Sequence, residues 1–247
     1  MRYDFFNGDA DGLCSIVQLR LEDPIDSVLV TGVKRDINLL KGVEFKDGDI
    51  VFALDVSLER NRESVIKALG KGATITWIDH HLPGEDIVHP EFRAFIDYSP
   101  DVCTSILVDK YLNGKRRSWA VVGAFGDSMN DSAIELAGES FNQSELEELR
   151  NLGQFLNYNS YGRSVSDLHF HPLELYKAMT SSVDPFTFIN SSIFKELSDG
   201  YQEDMGKAVQ MAGGKVLIQL PNEPWAFRIS GSLAHKVARD EPNEPHV

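Results

Sequence analysis

Short apolar runs alternate with predicted helices through the first half of the chain, and this alternation limits the fold more than any other feature. Five runs are predicted to be strands: YDFF, SVLVTGV, DIVFALDVS, ATITWIDHH and RAFIDYS. Stretches such as LCSIVQLRL and LERNRESVIKALGKG lie between them and are predicted to be helices. Strands joined by helical crossovers favour a mostly parallel sheet flanked by helices on both faces. The sequence therefore predicts an α/β fold.

The second half is predicted to be mainly helical at first and then to begin a smaller α/β domain. In that domain we predict strands over GKVLIQL and WAFRIS, followed by a helix over SLAHKVARD. Because two strands are too few for an independent sheet domain, we expect this domain to be truncated and to continue past Val247. The predicted division is a domain over residues 1–185, a linker helix over 186–213 and an incomplete domain over 214–247.

Composition predicts a protein of the cytoplasm. The chain has 247 residues, 42% of them hydrophobic, and no apolar run long enough for a transmembrane helix or a signal peptide. Only two cysteines occur, Cys14 and Cys103, which is typical of a reducing compartment. We therefore expect neither a membrane partner nor a disulfide framework.

The net charge of −14 restricts the partners further. Proteins that grip long nucleic acid usually carry a basic surface, because their lysines and arginines contact phosphates. We therefore expect no long nucleic acid as partner, and a short substrate if the protein acts on phosphates. The sequence leaves the oligomeric state open, with a homodimer among the alternatives.

Acidic and imidazole side chains follow the apolar runs. They are Asp9 and Asp11 after the first strand, Asp55 after VFAL, Asp79, His80 and His81 at the end of ITWIDHH, and Asp127 after AVVGAFG. The binding crevice of an open α/β sheet lies beyond the carboxyl ends of its strands, so these side chains are expected to meet there. Crowded carboxylates repel one another unless cations neutralise them. Oxygen and imidazole ligands suit Mn²⁺, Mg²⁺, Fe²⁺ or Co²⁺, and two such ions about 3.5–4 Å apart can activate water.

Each residue of this set also has an ordinary structural interpretation. An aspartate after a strand is commonly a helix cap or a turn residue, and NGDADG suits a tight turn. The occurrence of all of them in order, rather than any single one, favours a metal site.

Four segments, in order, resemble the motifs of the DHH phosphoesterase superfamily: FNGDADGLCS, ALDVS, IDHH and GAFGD. The resemblance covers roughly residues 1–180, and the segment from Gly214 through RISGSLAHKVARDEPNEP is similar to the start of the DHH-associated domain of nanoRNases and linear-dinucleotide phosphodiesterases. It implies a phosphodiesterase with two Mn²⁺ ions, for which Mg²⁺ or Co²⁺ could substitute, that cuts short oligonucleotides or linear dinucleotides such as pGpG and pApA. The alternatives are an exopolyphosphatase or pyrophosphatase and a non-catalytic nucleotide-sensing module.

The resemblance also implies roles for the residues. Asp9 would bind one ion, Asp11 the other, and Asp55 both. The shell of the second ion would be completed by His80 and Asp127. His81 would face the scissile phosphate, and Asp79 would orient its neighbours.

The sequence departs from the family near the first ion. NanoRNase-like members have a histidine four residues before the first motif aspartate, where this chain has Phe5. RecJ-like members have an aspartate two residues before it, where this chain has Asn7, an uncharged candidate ligand. We therefore expect the first ion to bind more weakly than in those relatives.

Three further residues are candidate substrate contacts. Thr104 and Ser105 precede an apolar helix, so they are either its caps or phosphate contacts through their N–H groups. Arg228 lies in the predicted second domain and is a candidate for holding the nucleotide.

Overall fold

The computed structural model describes residues 1–212 and 218–240 of the chain. Its strands are β1 (Arg2–Phe6), β2 (Val28–Val30), β3 (Ile50–Leu54), β4 (Thr74–Asp79) and β5 (Phe92–Ile96). They form one sheet in the order β2-β1-β3-β4-β5, and every neighbouring pair is parallel. The predicted α/β fold with a parallel sheet is confirmed.

Helices follow and surround the strands. They are α1 (Ala10–Glu22), α2 (Leu58–Gly70), α3 (Thr104–Tyr111), α4 (Arg117–Gly126), α5 (Asn130–Ala137), α6 (Gln143–Ser160), α7 (Pro172–Ser182), α8 (Pro185–Ile189), α9 (Ser192–Ala212) and α10 (Pro224–Asp240). The short helices α5 and α8 were not predicted, although α8 has a clear start signal in a capping Asp184 followed by Pro185. None of the described helices has both the length and the apolar character that crossing a bilayer requires.

The two-residue period of the strands separates two cores. Phe6 and Leu54 face the larger core, which is shared with α1, α4 and α6. Phe5 and Ala53, one position earlier, face the smaller core on the other side of the sheet, together with α2. All four are fully buried.

The direction of strand addition reverses between β1 and β3. The chain passes from β1 to β2 on one side and then crosses β1 to form β3 on the other. A reversal of this kind opens a crevice at the carboxyl ends of the two central strands. The loops after β1 and β3 begin at this crevice, which explains why the motif residues gather there.

The predicted strand over residues 225–230 is wrong, because these residues belong to α10. Ala226, Ile229 and Leu233 are buried at helical spacing, which is the period that favours a helix. Of the predicted strand over 214–220, residues 214–217 lie outside the described part, and 218–220 have no regular structure. Helix α10 packs against α6 and α9, and the predicted domain division stays a prediction.

Candidate metal centre

The loop after β1 is a tight structure built around the start of α1. Asp9 caps this helix, since its Oδ1 accepts a hydrogen bond of 3.0 Å from the Gly12 amide. Asn7 accepts a hydrogen bond from the Asp9 amide at 3.1 Å and donates one to the Lys34 carbonyl oxygen at 3.1 Å. A Cβ on Gly12 would lie 2.2 Å from the Asn7 carbonyl oxygen, so only glycine allows this close approach. The capping bond uses only Oδ1 of Asp9, so the other carboxylate oxygen is not part of the cap.

Asp11 links the first loop to α3. Its Oδ2 accepts a hydrogen bond of 2.8 Å from the Thr104 amide, and its Oδ1 accepts one of 2.7 Å from the Ser105 amide. The carboxylate therefore compensates the positive end of the α3 dipole. Because these two amides are satisfied by Asp11, the contacts do not support the predicted role of Thr104 and Ser105 at a phosphate, which stays a prediction.

Asp55 follows β3 in a strained backbone conformation. Its φ is 57°, in the left-handed region that few residues other than glycine, asparagine and aspartate adopt. Its amide still donates to the Ile78 carbonyl oxygen at 3.1 Å, and its Oδ1 accepts a hydrogen bond of 3.3 Å from the Thr104 hydroxyl. Strain of this kind is typical of functional sites, where the surrounding structure holds it in place.

The imidazole of His80 lies at the centre of the cluster. Its Nδ1 is 3.1 Å from the Val102 carbonyl oxygen, and because a carbonyl can only accept, Nδ1 carries a proton. The lone pair of the neutral ring is therefore on Nε2. That Nε2 is 3.5 Å from Asp55 Oδ1, 3.8 Å from Asp127 Oδ2 and 4.0 Å from Asp11 Oδ2. Three carboxylates from three segments thus surround one nitrogen.

Asp127 reaches this cluster from the end of a helix rather than a strand. It is the residue that ends α4. A carboxylate at this end is opposed by the negative pole of the helix dipole, so the position has no stabilising role as a cap. Its ligand atom lies within 4.8 Å of those of Asp11 and His80. The arrangement favours a role in holding a cation.

Asp79 and His81 form a second, neighbouring unit. Asp79 is fully buried at the end of β4, and its Oδ1 accepts hydrogen bonds from the His80 amide at 2.9 Å and from His81 Nδ1 at 2.7 Å. His81 is about half exposed, with 47% of its side chain accessible. Asp79 thus orients a histidine that solvent can reach.

Crowding shifts the pKa values of the cluster. Burial, with the charges of Asp9 and Asp11, raises the pKa of Asp55 well above its ordinary value. Burial and the same two aspartates raise the pKa of Asp127 to about 6. Burial lowers the pKa of His80, but the Asp55 hydrogen bond and the surrounding carboxylates outweigh it and raise the pKa to about 10. All three shifts indicate an excess of negative charge that one more cation would relieve.

Sequence reasoning missed Lys34, which lies in this cluster. Its Nζ is 2.6 Å from Asp9 Oδ2, 3.4 Å from Asn157 Oδ1 and 3.7 Å from Asp127 Oδ1. Burial tends to raise the pKa of Asp9, but the Lys34 charge and hydrogen bonds outweigh it and hold the pKa below its ordinary value. The sequence does indicate the position of Lys34, because this residue follows the predicted strand SVLVTGV and so lies at the carboxyl edge of the sheet.

Arg228 lies in a separate buried network. Its guanidinium is 2.8 Å from Asp204 Oδ2, and it donates hydrogen bonds to the Tyr158 hydroxyl at 3.2 Å and to the Asp167 carbonyl oxygen at 2.6 Å. These contacts attach α10 to α6 and α9. They do not support the predicted contact of Arg228 with substrate, which stays a prediction.

A cleft of about 710 Å³ lies beside the cluster, between the end of α4, α6 and α10. Gly126 and Ser128, which flank Asp127, line it. Its wall also carries positively charged and aromatic side chains, namely Arg150, Lys236, Arg239, Tyr161 and Tyr201. Another cavity, of about 720 Å³, lies between α2 and the loop around residues 38–45, and none of the cluster residues lines it.

Comparison with known proteins gives a likeness in fold. The exonuclease RecJ bound to manganese has a TM-score of 0.58 and 13% identity, over 97% of this chain and 73% of the other. RecJ from Thermus thermophilus in complex with Mn²⁺ has a TM-score of 0.52 and 13% identity, over 97% and 42% of the two chains. The pGpG-specific phosphodiesterase PggH from Vibrio cholerae has a TM-score of 0.48 and 17% identity, over 90% and 69% of the two chains. No family model and no curated protein matches the sequence significantly.

The likeness to the two RecJ structures agrees with the topology. The parallel sheet and the reversal between β1 and β3 are features of this chain, and the likeness in fold extends over 97% of it. The chain therefore has a fold similar to that of the two RecJ structures, as the resemblance of its motifs to the DHH phosphoesterase superfamily implies.

Proposed function

We propose that the protein is a metal-dependent phosphoesterase that hydrolyses short nucleotides such as linear dinucleotides. The observation that carries this proposal is the position of His80 Nε2, within 4.0 Å of carboxylate oxygens of Asp11, Asp55 and Asp127. The RecJ-like fold supports it at the level of architecture.

The residues present fit one divalent ion well. Asp11, Asp55, His80 and Asp127 offer three oxygens and one nitrogen, the donor set that suits Mn²⁺. Two ligands that are each about 2.1 Å from an ion lie about 3–4 Å apart, and His80 Nε2 lies 3.5–4.0 Å from one oxygen of each of the three carboxylates. The ligand atoms of Asp11, His80 and Asp127 lie within 4.8 Å of one another, as do those of Asp55, His80 and His81, so the two groups meet at His80. The hydrogen bonds to Val102 and from the Thr104 amide hold two of these ligands in orientation, as is usual around bound metals.

The ion would supply a water molecule of lowered pKa and positive charge for a phosphate oxygen. The chain itself supplies a proton donor. The hydrogen bond to Asp79 raises the pKa of His81 to about 9, so the ring is an imidazolium at neutral pH. Its Nε2–H is then able to donate to a phosphate oxygen or to the leaving oxygen.

The cleft beside the cluster supports a short anionic substrate. Its volume of about 710 Å³ falls within the range of roughly 300–1,000 Å³ found for small-ligand sites. Arg150, Lys236 and Arg239 bring positive charge to this cleft in a chain whose net charge is −14. Glu147 pairs with Arg150 and Asp240 pairs with Lys236. Tyr161 and Tyr201 offer rings on which bases stack. A long polyanion would meet the negative charge of the rest of the molecule.

Binding of Mn²⁺ is expected to strengthen with pH. The pKa of His80 is about 10, so at pH 7 an ion must displace its proton. Below that pKa, the displacement of one proton weakens the apparent affinity tenfold for each pH unit lost. Calorimetric titrations between pH 6.5 and 8 in buffers of different ionisation enthalpy measure both the affinity and the protons released. An affinity independent of pH would contradict the assignment of His80 as a ligand.

A substrate panel tests the proposed activity. The full chain is incubated with Mn²⁺ and pGpG, pApA, longer RNA, cyclic dinucleotides or polyphosphate, and the products are resolved by chromatography. We expect mononucleotides from the linear dinucleotides, no products from longer RNA, and loss of all turnover with a chelator.

Other results would replace the proposal. Phosphate released from polyphosphate alone would identify a phosphoanhydride hydrolase. Nucleotide binding without any product would identify a sensing module. The variant Asp97→Asn is a matched control, because Asp97 follows β5 but lies outside the cluster, where it bonds to Ser99.

A further inference from the structure

We propose that the centre holds one divalent ion and that the ammonium group of Lys34 takes the place of the second. This inference rests on the proposed metal centre and departs from the two-ion arrangement that the sequence resemblance implies. It predicts a protein with one Mn²⁺ per chain and a permanent organic cation beside it.

Lys34 is held where a cation is needed. Its Nζ is within 3.7 Å of oxygens of Asp9, Asp127 and Asn157, which come from the start of α1, the end of α4 and helix α6. The two oxygens of Asp127 face different groups. Oδ1 is 3.7 Å from Lys34 Nζ, and Oδ2 is 3.8 Å from His80 Nε2, beside the place proposed for the ion. The carboxylate of Asp127 thus lies between the ammonium group of Lys34 and the place proposed for the ion.

The backbone of Lys34 is held in place as well. Its amide donates to the Ser160 carbonyl oxygen at 3.0 Å, and its carbonyl oxygen accepts from Asn7 at 3.1 Å. These bonds connect it to the end of α6 and to the first motif loop. The side chain of Lys34 therefore extends from a backbone that hydrogen bonds hold in place, and only 29% of this side chain is exposed.

While Lys34 is in place, the other residues do not provide a second full set of ligands, because Asp9, Asp127 and Asn157 direct oxygens to the ammonium. Asp9 uses Oδ1 on the Gly12 amide and Oδ2 on Lys34. Asn7 directs its amide oxygen to the Asp9 N–H. Phe5 is fully buried in the smaller core, 6.1 Å between ring centroids from Phe45, and carries no donor atom. Among the described residues, two groups of side chains have ligand atoms within 4.8 Å of one another, Asp11 with His80 and Asp127, and Asp55 with His80 and His81; both include His80, and neither includes Asp9.

A lysine and a metal ion balance the same charge but differ in chemistry. An ammonium neutralises Asp9 and donates hydrogen bonds, but it does not lower the pKa of a water as a divalent ion does. The activation of water would thus depend on the single ion at His80. Lys34 would contribute charge and position only.

Metal content tests this directly. The wild-type chain, Lys34→Met, Lys34→Arg and the control Lys41→Met are saturated with Mn²⁺, freed of excess ion and measured by mass spectrometry of metals and by calorimetry. Lys41 is an exposed lysine beside the second cavity and remote from the cluster. We expect one ion per chain for the wild type, Lys34→Arg and Lys41→Met, and two for Lys34→Met, because removing the ammonium leaves Asp9 and Asp127 without a cation.

Each outcome decides between the two proposals. Two ions per wild-type chain, with the paramagnetic resonance spectrum of a coupled pair, would overturn this inference and leave the phosphoesterase proposal standing. No bound ion in the wild type would overturn both. Lys34→Met that folds, as shown by its circular dichroism, but still binds one ion would overturn the claim that the ammonium excludes the second ion. The wild-type spectrum does not depend on any variant folding.

Discussion

Asp55→Asn is expected to abolish turnover and to weaken Mn²⁺ binding at least about 100-fold, while the chain remains folded. Loss of a residue that merely orients a metal ligand typically costs about 10–100-fold in affinity, so loss of a ligand costs more. Asparagine suits the test because it adopts the left-handed conformation that Asp55 has, with φ of 57°, as readily as aspartate does. Calorimetry measures the affinity, and the release of mononucleotides measures the turnover.

The same variant is expected to be more stable than the wild type when both are free of metal. The carboxylate of Asp55 is buried beside Asp9 and Asp11, and its raised pKa reflects the cost of its charge there. If removing that charge stabilises the chain by about 1 kcal/mol, the melting temperature rises by about 2–4 °C for a chain of this size. Mn²⁺ should raise the melting temperature of the wild type by binding to it, but should not raise that of Asp55→Asn. Wild-type affinity in Asp55→Asn, or equal losses in the control Asp97→Asn, would contradict the assignment.

Arg20→Met is expected to destabilise the chain by about 3–5 kcal/mol, the usual cost of leaving one charge of a buried pair without its partner. Arg20 on α1 holds Asp4 on β1 through two bonds, of 2.5 Å from Nη2 and 2.7 Å from Nε. Only 2% and 1% of the two side chains are exposed. Urea unfolding at pH 7 measures the difference in the free energy of unfolding.

The double variant Asp4→Leu with Arg20→Met distinguishes the contribution of the two charges to stability from the contribution of side-chain packing. Removing both charges leaves no unpaired ion, so we expect the double variant to be more stable than Arg20→Met alone. Arg93→Met changes an exposed arginine of β5 and is expected to alter the stability by no more than about 0.5 kcal/mol. A double variant no more stable than Arg20→Met would show that packing, not charge, explains the loss.

The sheet could be predicted because its signals are local. Each strand is a short apolar run between turn residues, and alternation with helices implies parallel pairing. The segment WAFRIS was misassigned for the opposite reason. Its burial depends on contacts with α6 and α9 that are distant in sequence, and a short apolar run fits a strand or a helix equally well.

The site could be predicted only in part. The sequence placed Asp11, Asp55 and His80 at strand ends, and the rule that parallel strands share one rim brought them together. The sequence did not predict that Lys34 pairs with Asp9, because a lysine after a strand is usually solvated and nothing local indicates its partner. Nor did it predict that the amides of Thr104 and Ser105 bond to Asp11, a contact across 93 and 94 residues.

Helix α3 starts without a side-chain cap from its own N-terminal residue, Cys103, and relies on Asp11 instead. Opening of the first turn of α3 would therefore also break the hydrogen bonds that hold Asp11, a proposed ligand of the ion. Ion occupancy should then slow the exchange of the Thr104 and Ser105 amide hydrogens with solvent. Those two amides would report on the centre from a position outside it, without any substrate.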